Sequence, residues 1–466
     1  MRKKLVSGLL AATMVASLMV GCGSTNNAGD TTEAANNDAT EATEATEEVT
    51  EAEVTEAATM EAPSAEGRSD INVYLWDDDG QGKCEYVLSK MDKELADHIK
   101  IVNLGVGGTD QAYADGINAG YADKDNYPSV ILSDAGFVKM LAADENVMSI
   151  ADAGITDEMY ANAYAYTKEL GSVGGTLKAL SWQATPGCLV YRADIAKEVL
   201  GTDDPDEVAS KVAGWDNFFA VADQMKEKGY KMTSGADEIK YACLNQRTQP
   251  WVSDDSKLQL GDEITTYVEN AKKLYDGDYT NKANTWTENW TASMAEGDVF
   301  CYFGCTWFLG TMEASCTEDT ANFGKWKICA APEGYNWGGT FLMIGKDTPD
   351  PELAAYFVYM MTCDEDVLYG LNADKGDFVN NKKVIDKLVA DGVGERDILG
   401  GQNALDVFSS NAMTLTCTAS DIDNDVIAAL DHASEAYNTG EYSSVDECVD
   451  YVKDQIKTTL DYITVE

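Results

Sequence analysis

Asp70-Ile-Asn-Val-Tyr-Leu-Trp76 is an apolar run that stops abruptly at three acids and a glycine, Asp77-Asp78-Asp79-Gly80. Two runs of the same kind follow. Ile101-Val-Asn-Leu-Gly-Val106 precedes Gly107-Gly108-Thr109-Asp110, where Thr109 or Asp110 can cap a helix, and Ser129-Val-Ile-Leu-Ser133 precedes Asp134. Short apolar runs bounded by turn residues read as buried strands. Between the first two, Tyr86 to Ile99 spaces its apolar residues as a helix does. Strand, helix, strand, helix, strand predicts a parallel sheet with crossover helices, hence an α/β fold. In such sheets ligands lie beyond the carboxyl ends of the strands. Trp76, Asp77, Gly107, Gly108 and Asp134 fall at those ends. Gly107-Gly108 is no phosphate loop, because no Lys follows and no GxGxxG is present.

Further along, Leu177 to Gln183 and Cys188 to Tyr191 are strand-like runs that meet across Ala184-Thr-Pro-Gly187. Gly214-Trp-Asp216 opens a helix, with Asp216 expected as its N-cap. Val299–Gly304, Trp326–Pro332 and Phe341–Gly345 read as strands, and Asp350 starts a long helix. The last 60 residues read as helices, with Asp421 and Ser444 as caps. The order is an α/β unit, a crossing near 183–187, a second α/β region, and a return crossing near 332–339. About 400 residues follow residue 66, too many for one ordinary core, so two lobes are expected.

The ends of the chain decide the compartment. Arg2, Lys3 and Lys4 precede an apolar run, Leu5 to Val20, that ends in Met19-Val20-Gly21-Cys22. This has the layout of a secretory signal, too short for a confident membrane span. The small residue before Cys22 resembles a bacterial lipobox, with Met19 where Leu is commoner. Cys22 is then the lipidation site, diacylated before the chain is cut in front of it, and two acyl chains suffice for stable anchoring. Residues 23–66 hold no Lys, Arg, Phe, Tyr or Trp. Such a segment cannot bury enough apolar surface to order itself, and it reads as a disordered acidic tether.

The whole chain carries 81 acidic side chains against 34 Lys and Arg, a formal charge of −47. That argues against nucleic acid and anionic lipid as partners. Eleven cysteines and two histidines show no CxxC and no zinc spacing, so neither a metal nor a cofactor is expected. Apart from Cys22, the cysteines read mainly as small buried residues; disulfides stay open, since the compartment permits them.

The order of these pieces resembles the extracellular solute-binding protein family 1, the maltose-binding type that serves ABC importers. The resemblance rests on Tyr74-Leu-Trp76 with its acidic turn, Pro128 to Asp134, Leu180-Ser-Trp-Gln183 through Tyr191-Arg-Ala-Asp194, and Gly214-Trp215-Asp216. It continues through Met294-Ala-Glu-Gly297, Gly304-Cys-Thr-Trp307, Ala331-Pro332 with Gly338-Gly339, the Asp350 helix, and Asp377-Phe-Val-Asn-Asn-Lys382. It implies a periplasmic-binding-protein-like fold, with crossing hinge strands and an interlobe ligand cleft. The expected layout is a signal peptide at 1–21, anchor and tether at 22–66, first lobe at 67–183 and 333–390, second lobe at 184–332, and a helical part at 391–466 mainly in the second lobe. The implied function is capture of a mono- or oligosaccharide by lobe closure and delivery to a membrane permease. The expected state is a lipid-anchored monomer outside the cytoplasm.

A sugar presents a face of C–H groups and an edge of hydroxyls, so its site wants aromatic platforms with Asp, Asn, Gln or Arg beside them. Trp76, Asp77, Asp134, Trp182 and Gln183 are candidates from their place at strand ends and at the crossing. Tyr191 flanks the crossing, and Trp337 and Gly339 lie at the return. The resemblance adds Trp307 and Trp251. Trp215 and Trp326 read as structural, while Trp286 and Trp290 have no role in the pattern. A polyamine or peptide on the same fold is the first alternative, and a secreted glycosidase a lesser one. No nucleophile elbow, HExxH or Walker motif is present, so no catalytic residue is assigned.

Overall fold

The computed structural model describes residues 56–109 and 111–465. The signal segment, Cys22, the tether up to residue 55 and Asp110 lie outside the described residues. Residues 56–66, expected in the tether, form neither helix nor strand but lie on the body. Ala58 N donates to Glu158 O at 3.1 Å, Glu56 pairs with Lys383 Nζ at 2.9 Å, and Met60 packs on the core. Residues that composition assigned to the tether thus belong to the body.

The first sheet has five strands in the order Ile99–Asn103, Ile71–Leu75, Pro128–Asp134, Thr340–Ile344, Leu180–Ser181. The first three are parallel, as the alternation requires, and the last two join antiparallel. The acidic turn after Trp76 does more than end a strand. Asp77 is the N-cap of helix Asp78–Leu88 and accepts from Gly80 N at 2.8 Å. Asp134 does the same for helix Ala135–Ala142, through Gly136 N at 2.8 Å. Each carboxylate satisfies one of the orphan N–H groups at a helix start.

The second sheet has three antiparallel strands, Cys301–Cys305, Gly187–Arg192 and Trp326–Cys329, with Gly187–Arg192 in the centre. Every residue of the central strand is buried. Successive side chains of a strand point to opposite faces. Here Val190, Tyr302 and Ile328 enter one apolar cluster, while Leu189, Tyr191 and Phe303 enter the other. Both faces are therefore covered, which is why the strand reads as an unbroken apolar run.

The two crossings run beside each other. Ala184 N bonds to Phe378 O, Trp337 N to Thr185 O at 3.1 Å, and Gly187 N to Tyr335 O at 2.6 Å, while Thr185 Oγ1 donates to Gly338 O at 2.8 Å. Gly187 must be glycine, because a Cβ there would lie 2.4 Å from the Tyr335 ring. Helix Ala404–Thr414 packs on strands Gly187–Arg192 and Trp326–Cys329 of the second sheet, and Asn411 Nδ2 donates to Gly187 O at 2.8 Å. Two caps also differ from expectation: Gly214, not Asp216, precedes helix Trp215–Glu227, and Ile422, not Asp421, precedes helix Asp423–Thr439. Ser444 does cap helix Val445–Thr459, accepting from Glu447 N.

The ten described cysteines are all free thiols, and all but Cys417 are buried. Four of them, Cys188, Cys301, Cys305 and Cys329, sit on the second sheet, where burial pushes each thiol far above its ordinary range. Loss of a native disulfide costs roughly 2–5 kcal/mol. Excess reductant is accordingly expected to leave the melting temperature of the purified protein unchanged, and native alkylation to reach Cys417 first. A drop of several degrees under reductant would contradict the free-thiol state.

Candidate functional site

A cavity of about 590 Å³ lies at the carboxyl ends of the parallel strands and opens between the two sheets. Strand ends supply its first wall. Trp76 follows strand Ile71–Leu75, half-buried, with the edge of Tyr113 at 5.7 Å. The Gly108 backbone lies flat on its ring, so close that a Cβ would come within 2.7 Å. Gly108 of the pair read from sequence therefore serves close approach. Asp77 and Asp134 stand next to Trp76 in the lining.

Both carboxyls are held above their ordinary range. Burial raises Asp77, with Asp79 and Asp78 adding to it. Burial raises Asp134 to about 6, opposed by the Gly136 N–H and assisted by Asp77. Two half-buried acids near each other, without a cation, resist ionisation.

The crossing strands supply the floor. Gly338 and Gly339 both have positive φ, at 72° and 114°, which favours glycine there. Gly338 faces Trp307 Nε1 and Asp134 Oδ2, at 3.5 and 3.8 Å from where its Cβ would stand. Gln183 Nε2 donates to Thr340 Oγ1 at 2.9 Å. Trp307 donates through Nε1 to Trp337 O at 3.0 Å, and their rings meet at 4.7 Å. Trp286 stacks on Trp307 at 5.8 Å and an interplanar angle of 14°, and Tyr241 stacks on Trp337 at 5.2 Å. The result is a continuous aromatic surface, with Trp286 59% exposed at its lip.

The opposite wall comes from helices Lys240–Leu244 and Asp423–Thr439. Its cations are already committed. Lys240 Nζ lies 2.8 Å from both oxygens of Asp431. Burial alone lowers the Lys240 ammonium, but Tyr241 and Asp431 more than offset this and hold it above its ordinary value. Arg247 bonds to Asp423 and donates from Nε to Thr418 O at 2.6 Å. Its guanidinium lies 3.9 Å above the Trp251 ring. The start of helix Asp423–Thr439 meets the start of helix Ala135–Ala142, where Asn424 would touch any Cβ on Gly136.

Of the sequence candidates, Trp76, Asp77, Asp134, Gln183, Trp251, Trp307, Trp337 and Gly339 line this one cavity. Trp251 is fully buried, bonded to Glu263 Oε1 at 2.7 Å, with a face taken by Arg247, so it positions Arg247. Trp182 and Tyr191 do not line the cavity. Trp182 is buried and donates to Asp377 Oδ2 at 3.0 Å, on the far side of its strand. Tyr191 is buried in the second sheet and donates to Asp203 O at 2.9 Å. Trp182 lies one position off Gln183, which does line the cavity, whereas no residue of strand Gly187–Arg192 lines it. Sequence reading missed Lys240, Tyr241, Arg247, Trp286, Asn336, Asp423, Asn424 and Asp431. Only the acidic turn Asp421-Ile-Asp423-Asn424, a helix start, gave a signal that could have been used. Among the described residues no group of three or more His, Cys, Asp or Glu side chains is arranged to hold a metal ion.

Comparison with known proteins follows this geometry. The model of a family described as bacterial extracellular solute-binding protein matches residues 98–392. No curated protein sequence matches the chain. Among solved structures, an extracellular solute-binding protein of family 1 shares 16% identity, covering 84% of this chain and 99% of its own, with a TM-score of 0.71. The galacto-N-biose/lacto-N-biose I-binding protein of an ABC transporter from Bifidobacterium longum, in complex with lacto-N-biose, shares 16% identity. It covers 86% and 99% of the two chains at a TM-score of 0.66. An ABC-transporter-associated binding protein from B. animalis subsp. lactis, in complex with β-1,6-galactobiose, shares 18% identity, covers 85% and 99%, and has a TM-score of 0.63. At these identities the likeness is one of fold.

Asp134 allows a direct test of the electrostatics. Its carboxyl titrates near 6 in the folded chain against 3.8 ordinarily. The folded state therefore binds the extra proton between those values, and the charged form weakens the fold fully above about 6 but not below 3.8. Asn keeps the cap. Asp134→Asn is expected to melt roughly 1–3 °C above the parent at pH 8, with the gap closing by pH 4. An equal gap at both pH values would contradict the assignment.

Proposed function

The chain belongs to the bacterial extracellular solute-binding proteins, and on that footing we propose that it captures a carbohydrate in the cleft between its lobes and delivers it to the permease subunits of an ABC importer. The carrying observation is the pairing, in one cavity, of an aromatic surface with strand-end carboxylates that no cation occupies. Trp76, Trp286, Trp307 and Trp337 offer faces for C–H groups. Asp77, Asp134 and Gln183 offer hydrogen bonds for hydroxyls. Solved structures of the same fold hold β-1,6-galactobiose, lacto-N-biose and maltotetraose, which supports the same class of ligand here. The proposed ligand set is Trp76, Asp77, Asp134, Gln183, Trp286, Trp307, Trp337 and the backbone at Gly339. The cleft closes by movement about the crossings, which asks only a few residues to change φ and ψ. The ligand leaves unchanged, without catalysis.

A screen of mono- and oligosaccharides, polyamines and peptides by thermal shift tests this reading. A ligand at one hundred times its dissociation constant adds about 2.7 kcal/mol of stability. One sugar class is expected to raise the melting temperature and be recovered intact, and Trp76→Ala to weaken it about 10-fold or more. A shift with polyamines alone, or recovery of cleaved sugar, would refute the proposal.

The proposed anchor is Cys22, acylated after secretion, with the acidic residues that follow as tether. Cys22→Ala is expected to move the protein from the membrane fraction to the medium and to abolish metabolic labelling by fatty acid. Labelling that survives the substitution counts against it.

A further inference from the structure

A second groove, of about 580 Å³, lies outside the cleft. Its lining comes from the second lobe and from Glu333 of the return crossing, with nothing from the first sheet or its helices. It meets the main cavity at Arg247, which lines both. Two segments run from one to the other. At the end of helix Lys240–Leu244, Leu244 and Asn245 line the cavity, while Cys243 and Gln246 line the groove. In the return crossing, Asn336 lines the cavity and Glu333 the groove. Hydrogen bonds stitch the two segments together. Asn245 Nδ2 donates to Asn336 Oδ1 at 2.9 Å, and Gln246 Nε2 to Gly334 O at 2.8 Å. Trp251 spans the same partition. It lines the cavity, carries the Arg247 guanidinium on its face, and donates from Nε1 to Glu263, a groove residue.

The groove repeats the chemistry of the cavity. Trp215 supplies a half-buried ring, backed by Phe303 at 6.2 Å and an interplanar angle of 22°. Thr248, Gln249, Thr266 and Glu333 line the groove with it, and no other protein group engages their side chains among the described residues. Burial alone raises the Glu333 carboxyl. An aromatic face edged by hydroxyl, amide and carboxyl groups suits a sugar. A pocket of roughly 300–1,000 Å³ encloses one small ligand, so a second room as large as the first asks for a longer one. We propose that the ligand is an oligosaccharide longer than a disaccharide, whose first units lie in the cleft and whose later units pass Arg247 and lie in this groove against Trp215. The groove belongs to one lobe, so its contacts are the same with the cleft open or closed. They add affinity without biasing closure, because a ligand shifts an equilibrium only through contacts that differ between the two states.

This inference rests on the carbohydrate reading, and the test separates the two. Calorimetric titration uses the purified protein and galacto-, cello-, xylo- and malto-oligosaccharide series, each from the monosaccharide to the hexasaccharide. In the series that binds, affinity is expected to rise at least about 10-fold from the disaccharide to the longer members and then to level off. Trp215→Ala is expected to bring that ratio near one. Because Trp215 also packs on Phe218 and Phe303, a second variant carries Thr248→Ala with Gln249→Ala, both at exposed positions. It is expected to lower the ratio about 3-fold, with the loss falling on the longer members. Affinity that is flat with chain length, or a ratio unmoved by both variants, would overturn the groove and leave the carbohydrate reading standing. If no saccharide of any length binds, the carbohydrate reading falls and this inference with it.

Discussion

The hydrogen-bonded run of residues 183–187 beside 335–339 is the constraint on which the rest depends. It fixes the gap between the two sheets, because here the chain passes from one to the other in two segments bonded side by side. It also places the floor of the cavity. Trp337 is held through Thr185 O, Trp307 through Trp337 O, and the positive-φ pair Gly338-Gly339 lets the backbone turn beneath them. The same run tolerates little change. Gly187 has no room for a Cβ beside Tyr335, whose hydroxyl bonds to Cys188 O at 3.0 Å and Gly304 O at 2.5 Å. A segment this tightly specified suits a hinge, since bending is confined to its ends while its own pairing persists.

A second theme is the division of labour among charges. Lys240 and Arg247 are engaged by Asp431 and Asp423, and one stacks on Trp251, so the second-lobe wall is prearranged. Asp77 and Asp134 line the same cavity, each accepting from a backbone N–H of the helix that it caps. Each begins a helix and ends a strand at once, which ties the wall of the cavity to the integrity of two helices. Burial makes their charge costly, so they are less stable than exposed acids and correspondingly ready to be satisfied by a donor that arrives from outside.

The α/β order was legible because it depends on local facts. The runs at 71–75 and 128–134 are buried on both faces and so are continuously apolar, and the acids that stop them are also helix caps. The crossing near 183–187 showed in Pro186-Gly187 for the same reason, since turn chemistry is written in single residues. Strand phase was harder. Trp182 and Gln183 are neighbours, yet one points to Asp377 in the core and the other to the cavity, and an apolar run buried on both sides carries no alternation to tell which. Tyr191 was misplaced for another reason: its whole strand is buried within the second sheet and lines no part of the cavity.

The sequence by itself determined the two-sheet plan, the strand-end acids and the glycines of the return crossing, because each follows from backbone conformation or burial within a short window. Only the tertiary structure decided which tryptophans meet. Trp286, Trp307 and Trp337 come from three separate segments, and Lys240 finds Asp431 nearly two hundred residues away. Those contacts depend on how two lobes are set against each other by the paired crossings, and no periodicity along the chain encodes a relation between residues that meet only across that gap.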